Sequence, residues 1–247
     1  MKEDIFFVSK DGTKFTYHKL MEDINNSSKL YRYCYNPDTY SIFIQIITSI
    51  VYGTNLVLLD YDFTDKELNS LGIDRNELIS YEYINNREVI DFRGIINKIE
   101  TNKDWTLTLF TSGTTGLPKR VTHSINNLTR FVRKSEKHQS DIWGFAYNPT
   151  HIAGIQVFFQ ALFNGNTIID LFNVSKNEIF NRIEKYQISN ISATPTFYRM
   201  LMPIDKYYPS IRRITSGGER FDANLSNNLL RAFPNAKLRN IYASTEA

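Results

Sequence analysis

The segment from Thr111 to Lys119 has the residue types of a phosphate-binding loop. Glycines let the backbone approach an anion, hydroxyl groups donate hydrogen bonds, and a lysine supplies a positive charge. In a Walker loop the lysine directly follows the second glycine, whereas Leu117 and Pro118 separate Gly116 from Lys119 here. The segment therefore predicts a phosphate site of another type. Its candidate ligands are Thr111, Ser112, Gly113, Thr114, Thr115, Gly116 and Lys119.

Three later segments contain further residues whose types could serve catalysis or ligand binding. The first contains His151, the second contains Gly217, Gly218 and Glu219, and the third runs from Tyr242 to Glu246. Taken singly, each pattern has a simpler interpretation, namely a structural histidine, a glycine turn and the end of a strand. None of the three identifies a site by itself.

Alternating strand and helix patterns surround these residues after Trp105. Leu107 to Phe110 predicts a strand directly before the loop, and a strand-like pattern resumes at Val121. Such alternation is typical of α/β proteins with largely parallel strands, which bind ligands at the carboxyl ends of those strands. Further strands are predicted at residues 142–147, 167–171, 191–194, 213–215 and 238–242, with helices at 155–162, after Ser175, at 196–202 and from Asp222 to Phe233. Ser124 is expected to cap another helix, whose apolar face is Ile125, Leu128, Phe131 and Val132.

The chain before Trp105 predicts a more varied arrangement. Asp11-Gly12 lies between alternating apolar residues and predicts a hairpin turn. Helical patterns run from His18 to about Tyr33 and from about Asp38 to Tyr52, and the apolar run from Leu56 to Leu59 suits a buried strand. The stretch from Asp62 to Lys103 mixes polar and apolar residues, so we expect it to be irregular.

Composition and charge exclude several classes of protein. The 247 residues are 42% hydrophobic and 22% charged, which is ordinary for a globular protein with a substantial core. A net charge of +3, with both signs interspersed, does not favour nucleic-acid binding. Cys34 is the only cysteine, so we expect a buried structural thiol and no disulfide framework. Ile42 to Val51 is too short to span a bilayer and the first residues lack a signal-peptide pattern, so we expect a cytoplasmic protein.

The segment from Leu109 to Lys119 resembles the signature loop of the adenylate-forming superfamily, which includes acyl- and aryl-CoA synthetases, luciferases and the adenylation domains of peptide synthetases. The three later segments occur in the order found in that family. The resemblance implies an α/β fold of layered α-β-α-β-α type with two largely parallel sheets. It also implies an N-terminal subdomain over residues 1–104 and a nucleotide-binding subdomain over residues 105–247.

The resemblance also implies roles for single residues. His151 would stand near the acyl-binding pocket, and the segment from Ser216 to Glu219 would lie along adenosine and one wall of that pocket. In the last segment Tyr242 would stack on adenine, Thr245 would contact the α-phosphate and Glu246 would bind magnesium. The family usually has glycine where Ala243 stands. The implied catalytic residues are Lys119, His151, Thr245 and Glu246, and the implied nucleotide-binding residues beyond the first loop are Gly217, Gly218, Glu219, Tyr242, Ala243, Ser244 and Thr245.

The implied activity is ATP-dependent conversion of a carboxylic acid to an acyl adenylate, with thioester formation on coenzyme A as the second step. The alternatives are delivery to an acyl-carrier protein, and a non-catalytic remnant that binds only nucleotide or acyl ligand. Members of the family that load α-amino acids usually carry an aspartate in this region to hold the ammonium. No acidic residue lies between Trp143 and Phe163, so the resemblance disfavours amino-acid activation. Family members continue into a C-terminal domain with a catalytic lysine, so we expect a truncated form with poor activity. Candidate wall residues of the acyl pocket, which also suit a simple core, are Phe158, Phe197, Tyr198 and Met200.

Overall fold

A computed structural model describes residues 4–85, 89–112 and 118–241. Its α-helices are α1 (Tyr17–Asn26), α2 (Thr39–Val51), α3 (Asp65–Ser70), α4 (Phe92–Thr101), α5 (Ile125–Thr129), α6 (Ile152–Phe163), α7 (Lys176–Tyr186), α8 (Pro195–Met200) and α9 (Ala223–Ala232). Its strands are β1 (Ile5–Val8), β2 (Lys14–Thr16), β3 (Lys29–Tyr31), β4 (Tyr33–Tyr35), β5 (Leu56–Leu59), β6 (Tyr81–Tyr83), β7 (Thr106–Ser112), β8 (Pro118–Ser124), β9 (Ile142–Phe145), β10 (Thr167–Asp170), β11 (Asn190–Ala193), β12 (Arg213–Gly217) and β13 (Lys237–Ile241). Short 3-10 helices cover Arg75–Ile79 and Glu136–His138.

Internal contacts divide the chain into two compact units, each assembled from separate segments. The first unit comprises Met1–Asp4, Phe15–Val132 and Pro149–Phe159. The second comprises the remaining segments, Ile5–Lys14, Arg133–Asn148 and Gln160–Ala247. The predicted subdomain boundary between residues 104 and 105 falls within the longest segment of the first unit.

The first unit is built on a four-stranded sheet in the order β4-β5-β7-β8. The first three strands run parallel, and β8 returns antiparallel to β7. Helix α2 is buried along most of its length, and the ring of Phe43 stacks on Phe158 of α6 with centroids 4.3 Å apart. Apolar side chains buried on both faces are what a covered parallel sheet requires, since its strands have no solvated side.

The second unit is built on a seven-stranded sheet in the order β13-β12-β11-β9-β10-β1-β2. Every pairing from β1 to β13 along this order is parallel. Its core includes Ile169, Ile191 and Ile214 from the strands together with Ile183 and Leu229 from the helices, all of them buried. The predicted α/β class with largely parallel sheets is therefore confirmed.

The hairpin at Asp11-Gly12 is also confirmed, since Gly12 adopts a φ of 89° between β1 and β2. The predicted helix from His18 to Tyr33 is too long, because α1 ends at Asn26 and the strands β3 and β4 follow. The side chains of Asn and Ser compete for backbone hydrogen bonds, and the run of them after Ile24 ends the helix.

The prediction that residues 62–103 are irregular is wrong. Thr64 and Asp74 each form a reciprocal capping box with the glutamate that follows at the third helical position. Asp91 caps α4 by accepting a hydrogen bond from Gly94. Local caps therefore start short helical segments that the weak apolar pattern does not reveal.

The predicted helix after Ser124 is shorter than expected. Ser124 caps α5 as predicted, by accepting a hydrogen bond from the backbone N–H of Asn127. The helix ends at Thr129, however, and Phe131 is 68% exposed rather than part of an apolar face. Only Ile125 and Leu128 from that predicted face are buried.

Candidate functional site

The hairpin of β7 and β8 brings the two ends of the predicted phosphate loop together. Thr111 pairs with Lys119 and Ser112 pairs with Pro118 in antiparallel register. Directly opposed residues project from the same face of a sheet, with Cβ atoms about 5 Å apart, so the Thr111 hydroxyl and the Lys119 ammonium share one face. Thr111 is half-buried and Lys119 is exposed. The residues between them, Gly113, Thr114, Thr115, Gly116 and Leu117, lie outside the described residues.

The same hairpin is anchored in the core by its other residues. Leu107 and Leu109 are fully buried in β7, and the hydroxyl groups of Thr108 and Thr122 lie 2.9 Å apart across the strands. A strand therefore follows the loop, as the pattern at Val121 predicts, where a Walker loop would lead into a helix.

His151 is held at the start of α6. Its backbone carbonyl accepts a hydrogen bond of 3.0 Å from Ile155, and its Nε2 atom lies 3.3 Å from Oδ2 of Asp60. The hydroxyl of the adjacent Thr150 donates to Oδ1 of the same carboxylate. Consecutive residues at the N-terminus of α6 thus contact both carboxylate oxygens of Asp60.

Asp60 directly follows β5, whose neighbour in the sheet is β7. The parallel register pairs Leu56 with Leu107 and Val57 with Thr108, so the two strands advance together towards Asp60 and Thr111. Asp60 therefore marks the carboxyl end of the sheet from which the predicted loop also leaves. A carboxylate immediately after a buried strand is the signal that would have identified it from sequence.

This contact also changes the argument about acidic residues near His151. The stretch between Trp143 and Phe163 contains no Asp or Glu, and the sequence alone places no carboxylate there. The fold supplies one from a distant segment, since the side chain of Asp60 reaches Thr150 and His151. An acidic side chain therefore lies beside His151, although the local sequence contains none.

In the second unit, the predicted segment from Ser216 to Glu219 forms the carboxyl end of β12 and the turn after it. Gly218 has a φ of 86°, a left-handed conformation that favours glycine. The Glu219 carboxylate accepts hydrogen bonds from the backbone N–H of Thr196 at 3.1 Å and from its hydroxyl at 2.6 Å. Glu219 thereby satisfies one backbone N–H in the first turn of α8, and this contact ties the turn after β12 to that helix.

Arg199 links the same turn to the next helix. Its guanidinium donates to the carbonyl of Arg220 at 2.9 Å and to the carboxylate of Asp222 at 3.1 Å. Asp222 caps α9 by accepting from the N–H of Leu225, and this hydrogen bond, followed by the one from Arg199, lowers the pKa of Asp222. The sequence predicts a helix that begins at Asp222, whereas its partner Arg199 is found only in the fold.

The candidate wall residues fall into two groups. Phe158 and Tyr198 are fully buried, and the single hydroxyl donor of Tyr198 lies 3.0 and 2.9 Å from the carbonyl oxygens of Ile191 and Thr215, so both are core residues. Phe197 is half-buried and Met200 is 48% exposed. Cys34 is fully buried, and burial raises the pKa of its thiol, which confirms a structural role.

Other features do not add to this site. An open groove of about 730 Å³ lies between α1 and the start of α4, and its lining includes His18, Glu22 and Asp91 but none of the predicted site residues. No cluster of three or more His, Cys, Asp or Glu side chains suited to a metal occurs among the described residues. Within the same residues, no helix combines the length and apolarity needed to cross a membrane. The last predicted segment, Tyr242, Ala243, Ser244, Thr245 and Glu246, lies outside them.

Comparison with curated proteins finds relatives that are ligases. The chain is 29% identical over 170 residues to D-alanine–D-alanyl carrier protein ligase of Lactococcus lactis, an alignment that covers 61% of the chain and 32% of that protein. It is 29% identical over 174 residues to 2-succinylbenzoate–CoA ligase of Bacillus subtilis, which covers 67% of the chain and 34% of that protein. The chain thus spans about a third of the length of these two relatives.

Solved structures share the fold. O-succinylbenzoate coenzyme A synthetase from Bacillus subtilis, in complex with ATP and magnesium, aligns with a TM-score of 0.70 and 19% identity over 98% of this chain and 57% of that one. The inhibitor-bound N-terminal domain of FACL13 from Mycobacterium tuberculosis aligns with a TM-score of 0.74 and 14% identity over 98% of this chain and 72% of that one. A family model described as AMP-binding enzyme matches residues 53–247, from before the phosphate loop to the last predicted segment. The chain therefore belongs to the family of AMP-binding enzymes.

Proposed function

We propose that this chain provides the ATP- and acid-binding part of an enzyme that joins a carboxylic acid to AMP. A carboxylate oxygen attacks the α-phosphorus of ATP, the bond from that phosphorus to the bridging oxygen of the pyrophosphate group breaks, and pyrophosphate leaves. The product is an acyl adenylate. The observation that carries the proposal is the β7–β8 hairpin, which aligns Thr111 with Lys119 at the two ends of the loop.

The roles of the residues follow from what this reaction needs. Phosphoryl transfer depends mainly on positioning the reactants and neutralising charge, so Lys119 and the hydroxyls of the loop are proposed to hold the departing phosphates. Gly217, Gly218 and Glu219 are proposed to line the adenosine side. His151 is proposed to border the acid.

The last segment completes the proposed nucleotide site. Tyr242 would stack on adenine, while Thr245 would contact the α-phosphate, and the backbone of Ala243 and Ser244 would lie along the nucleotide. Glu246 would hold Mg²⁺, because this ion prefers carboxylate and phosphate oxygens. The ion supplies positive charge at the phosphates.

The second step is proposed to transfer the acyl group to a thiol, with coenzyme A as the acceptor and an acyl-carrier protein as the alternative. Cys34 is fully buried, so the acceptor thiol comes from another molecule. Relatives of both types, a CoA ligase and a carrier-protein ligase, match this chain. We propose that the reaction takes place in the cytoplasm, which supplies ATP and coenzyme A.

The test is calorimetric titration of the chain with ATP and Mg²⁺, compared between Lys119→Ala and Arg120→Ala. The two variants lose the same charge from adjacent positions on opposite faces of β8. Lys119→Ala is expected to weaken ATP binding about tenfold, the usual effect of losing one charge-assisted hydrogen bond, and Arg120→Ala is expected to have little effect. Equal affinities for both variants and the unmodified chain would contradict the proposed phosphate site.

A pyrophosphate-release screen with carboxylic acids then tests the reaction. Acid-dependent release of pyrophosphate supports acyl adenylate formation. ATP binding without release for any acid would favour the non-catalytic alternative. Addition of coenzyme A to a positive reaction, followed by mass analysis for the thioester, separates the CoA acceptor from a carrier protein.

A further inference from the structure

The contact between Asp60 and the N-terminus of α6 joins segments that lie far apart in the sequence. The His151 ring approaches one oxygen of the Asp60 carboxylate at 3.3 Å, and the Thr150 hydroxyl donates to the other. We propose that Asp60 is a positioning residue that orients the imidazole of His151 towards the acid. This inference rests on the proposed function, in which His151 borders the acid.

The hydrogen bond between Asp60 and His151 determines which ring nitrogen of His151 can accept a hydrogen bond from another group. An ionised carboxylate only accepts hydrogen bonds, so the hydrogen at this contact is on Nε2 of His151. In the neutral ring Nδ1 is then the acceptor. Asp60 thereby sets the direction in which the ring presents its lone pair.

The exposures of the two side chains indicate which one supports the other. The His151 side chain is 52% exposed, whereas that of Asp60 is 17% exposed. The backbone of His151 is fixed by the hydrogen bond from Ile155, so the remaining freedom lies in the rotation of its side chain. Asp60 is attached to a buried strand, and the hydrogen bond from Thr150 further restricts its carboxylate. The less exposed carboxylate therefore restrains the more exposed ring.

The position of Asp60 is suited to this role. It leaves β5 at the carboxyl end of the sheet, the end where β7 carries Thr111 into the predicted phosphate loop. A ring restrained there lies at the end of the sheet where open α/β sheets bind their ligands. In the proposed reaction the acid must approach the α-phosphate in one orientation, and a fixed neighbour reduces the number of unproductive orientations.

The first test measures the ring directly and needs no enzymatic activity. NMR relaxation of the labelled histidine rings would give an order parameter for His151, whose signal is assigned by its loss in His151→Ala. We expect a value typical of an ordered group, about 0.8, to fall below about 0.6 in Asp60→Ala. Asp62→Ala is the matched control, since this exposed acid lies on the same turn, and it should leave the value unchanged. An unchanged order parameter in Asp60→Ala would overturn the proposal.

The second test is a double-mutant cycle on acid-dependent pyrophosphate release. Asp60→Ala is expected to lower kcat/KM for the acid about tenfold, mostly through KM, because a charge-assisted hydrogen bond is lost. In a His151→Ala background the same substitution should have little effect, since the group that Asp60 orients is gone. Equal losses in both backgrounds would mean that Asp60 acts independently of His151, which overturns the positioning role.

Two further measurements keep the outcomes separate. Asp60→Asn preserves the size of the side chain, and circular dichroism of all variants verifies that they are folded. Asn can accept at only one of its two positions, so its ring order and its rate should both lie between those of the unmodified chain and Asp60→Ala. If the unmodified chain does not bind ATP in the calorimetric titration, the proposed function fails, while the ring measurement still decides whether Asp60 restrains His151.

Discussion

The two ends of strand β12 hold their charged groups in opposite ways. At its amino end, Arg213 and the preceding Arg212 reach the carboxylate of Asp141 at 2.5 and 3.2 Å, and His138 approaches it at 3.0 Å. The Asp141 side chain is only 1% exposed. At the carboxyl end, Glu219 and its contacts remain much more accessible to water, with 40% of its side chain exposed.

The difference shows how a parallel sheet separates stability from ligand binding. A buried carboxylate requires cations around it, so the group at the amino end is a fixed part of the fold. Ligands of open α/β sheets bind at the carboxyl ends of the strands, where Gly217, Gly218 and Glu219 lie. Charges there are worth less to stability, and in the proposed reaction they lie along the nucleotide. Substitutions at the two ends should therefore affect different measurements.

The largest expected effect on stability is at the amino end. Asp141→Ala removes the acceptor shared by Arg212, Arg213 and His138, and we expect it to lower the free energy of unfolding by about 3 kcal/mol. Urea unfolding monitored by tryptophan fluorescence, to which Trp143 in β9 contributes, measures this loss. Affinity for ATP should change little under conditions where the variant is folded.

Asp205→Ala is the control for this effect. Asp205 is an exposed acid in the same unit, and its loss should change the free energy of unfolding by less than about 0.5 kcal/mol. Similar losses for both aspartates would remove the distinction between the buried and the exposed carboxylate.

A smaller effect on stability, with a larger effect on function, is expected at the carboxyl end. Glu219→Ala leaves the backbone N–H and the hydroxyl of Thr196 without this acceptor, yet the pair that Glu219 forms with Arg199 is solvent-exposed, so the free energy of unfolding should fall by less than about 1 kcal/mol. Displacement of the turn should raise the KM for ATP about tenfold in pyrophosphate release. Glu184→Ala, which removes another exposed ion pair with Lys206, should leave KM unchanged. A loss of stability as large as that of Asp141→Ala would contradict the comparison.

The smallest expected effect is a change in the pH dependence of stability, caused by Asp222 near the same carboxyl end of β12. The N–H of Leu225, and then Arg199, lower the pKa of Asp222 below its ordinary value of 3.8. As the pH falls, Asp222 is therefore protonated in the unfolded chain before it is protonated in the folded chain. The stabilisation by ionised Asp222 is complete above pH 3.8, and it disappears as the pH falls through the lower pKa of the folded chain. Asp222→Ser keeps a capping side chain that does not titrate.

The measurement compares urea midpoints of the unmodified chain and Asp222→Ser at neutral pH and at about pH 3. The stability advantage of the unmodified chain should shrink towards the acid end. Arg199→Met should retain most of the pH dependence, because the hydrogen bond from Leu225 is the larger cause of the shift. A difference between the chain and Asp222→Ser that stays constant with pH would rule out a contribution from its ionisation.

Strong local signals made several elements predictable. Ser124 caps α5 as expected. Asp38 and Ser175 cap α2 and α7, which begin where the sequence predicts helices, because an N-cap depends on residues within one turn of the chain. The apolar run at Leu56 to Leu59 is a strand as predicted. Phe131 was misassigned to a buried face, since its exposure depends on where the helix stops and the chain turns.

The candidate site was predictable in part for the same reason. The residue types and spacing of the loop from Thr111 to Lys119 are local, and so is the glycine turn at Gly218. The partners of these residues are not local. Asp60 lies 91 residues from His151, and Glu219 lies 23 residues from Thr196.

The sequence by itself determined the family, the α/β class and the positions of the predicted phosphate loop and the later signature segments. Each of these depends on short patterns whose physical basis is local, such as backbone freedom at glycine and the alternation of apolar residues. Only the tertiary structure decided that Asp60 meets Thr150 and His151, and that Asp141 lies buried at the start of β12. Such contacts depend on which strands become neighbours in a sheet, and strand order is a property of the whole chain.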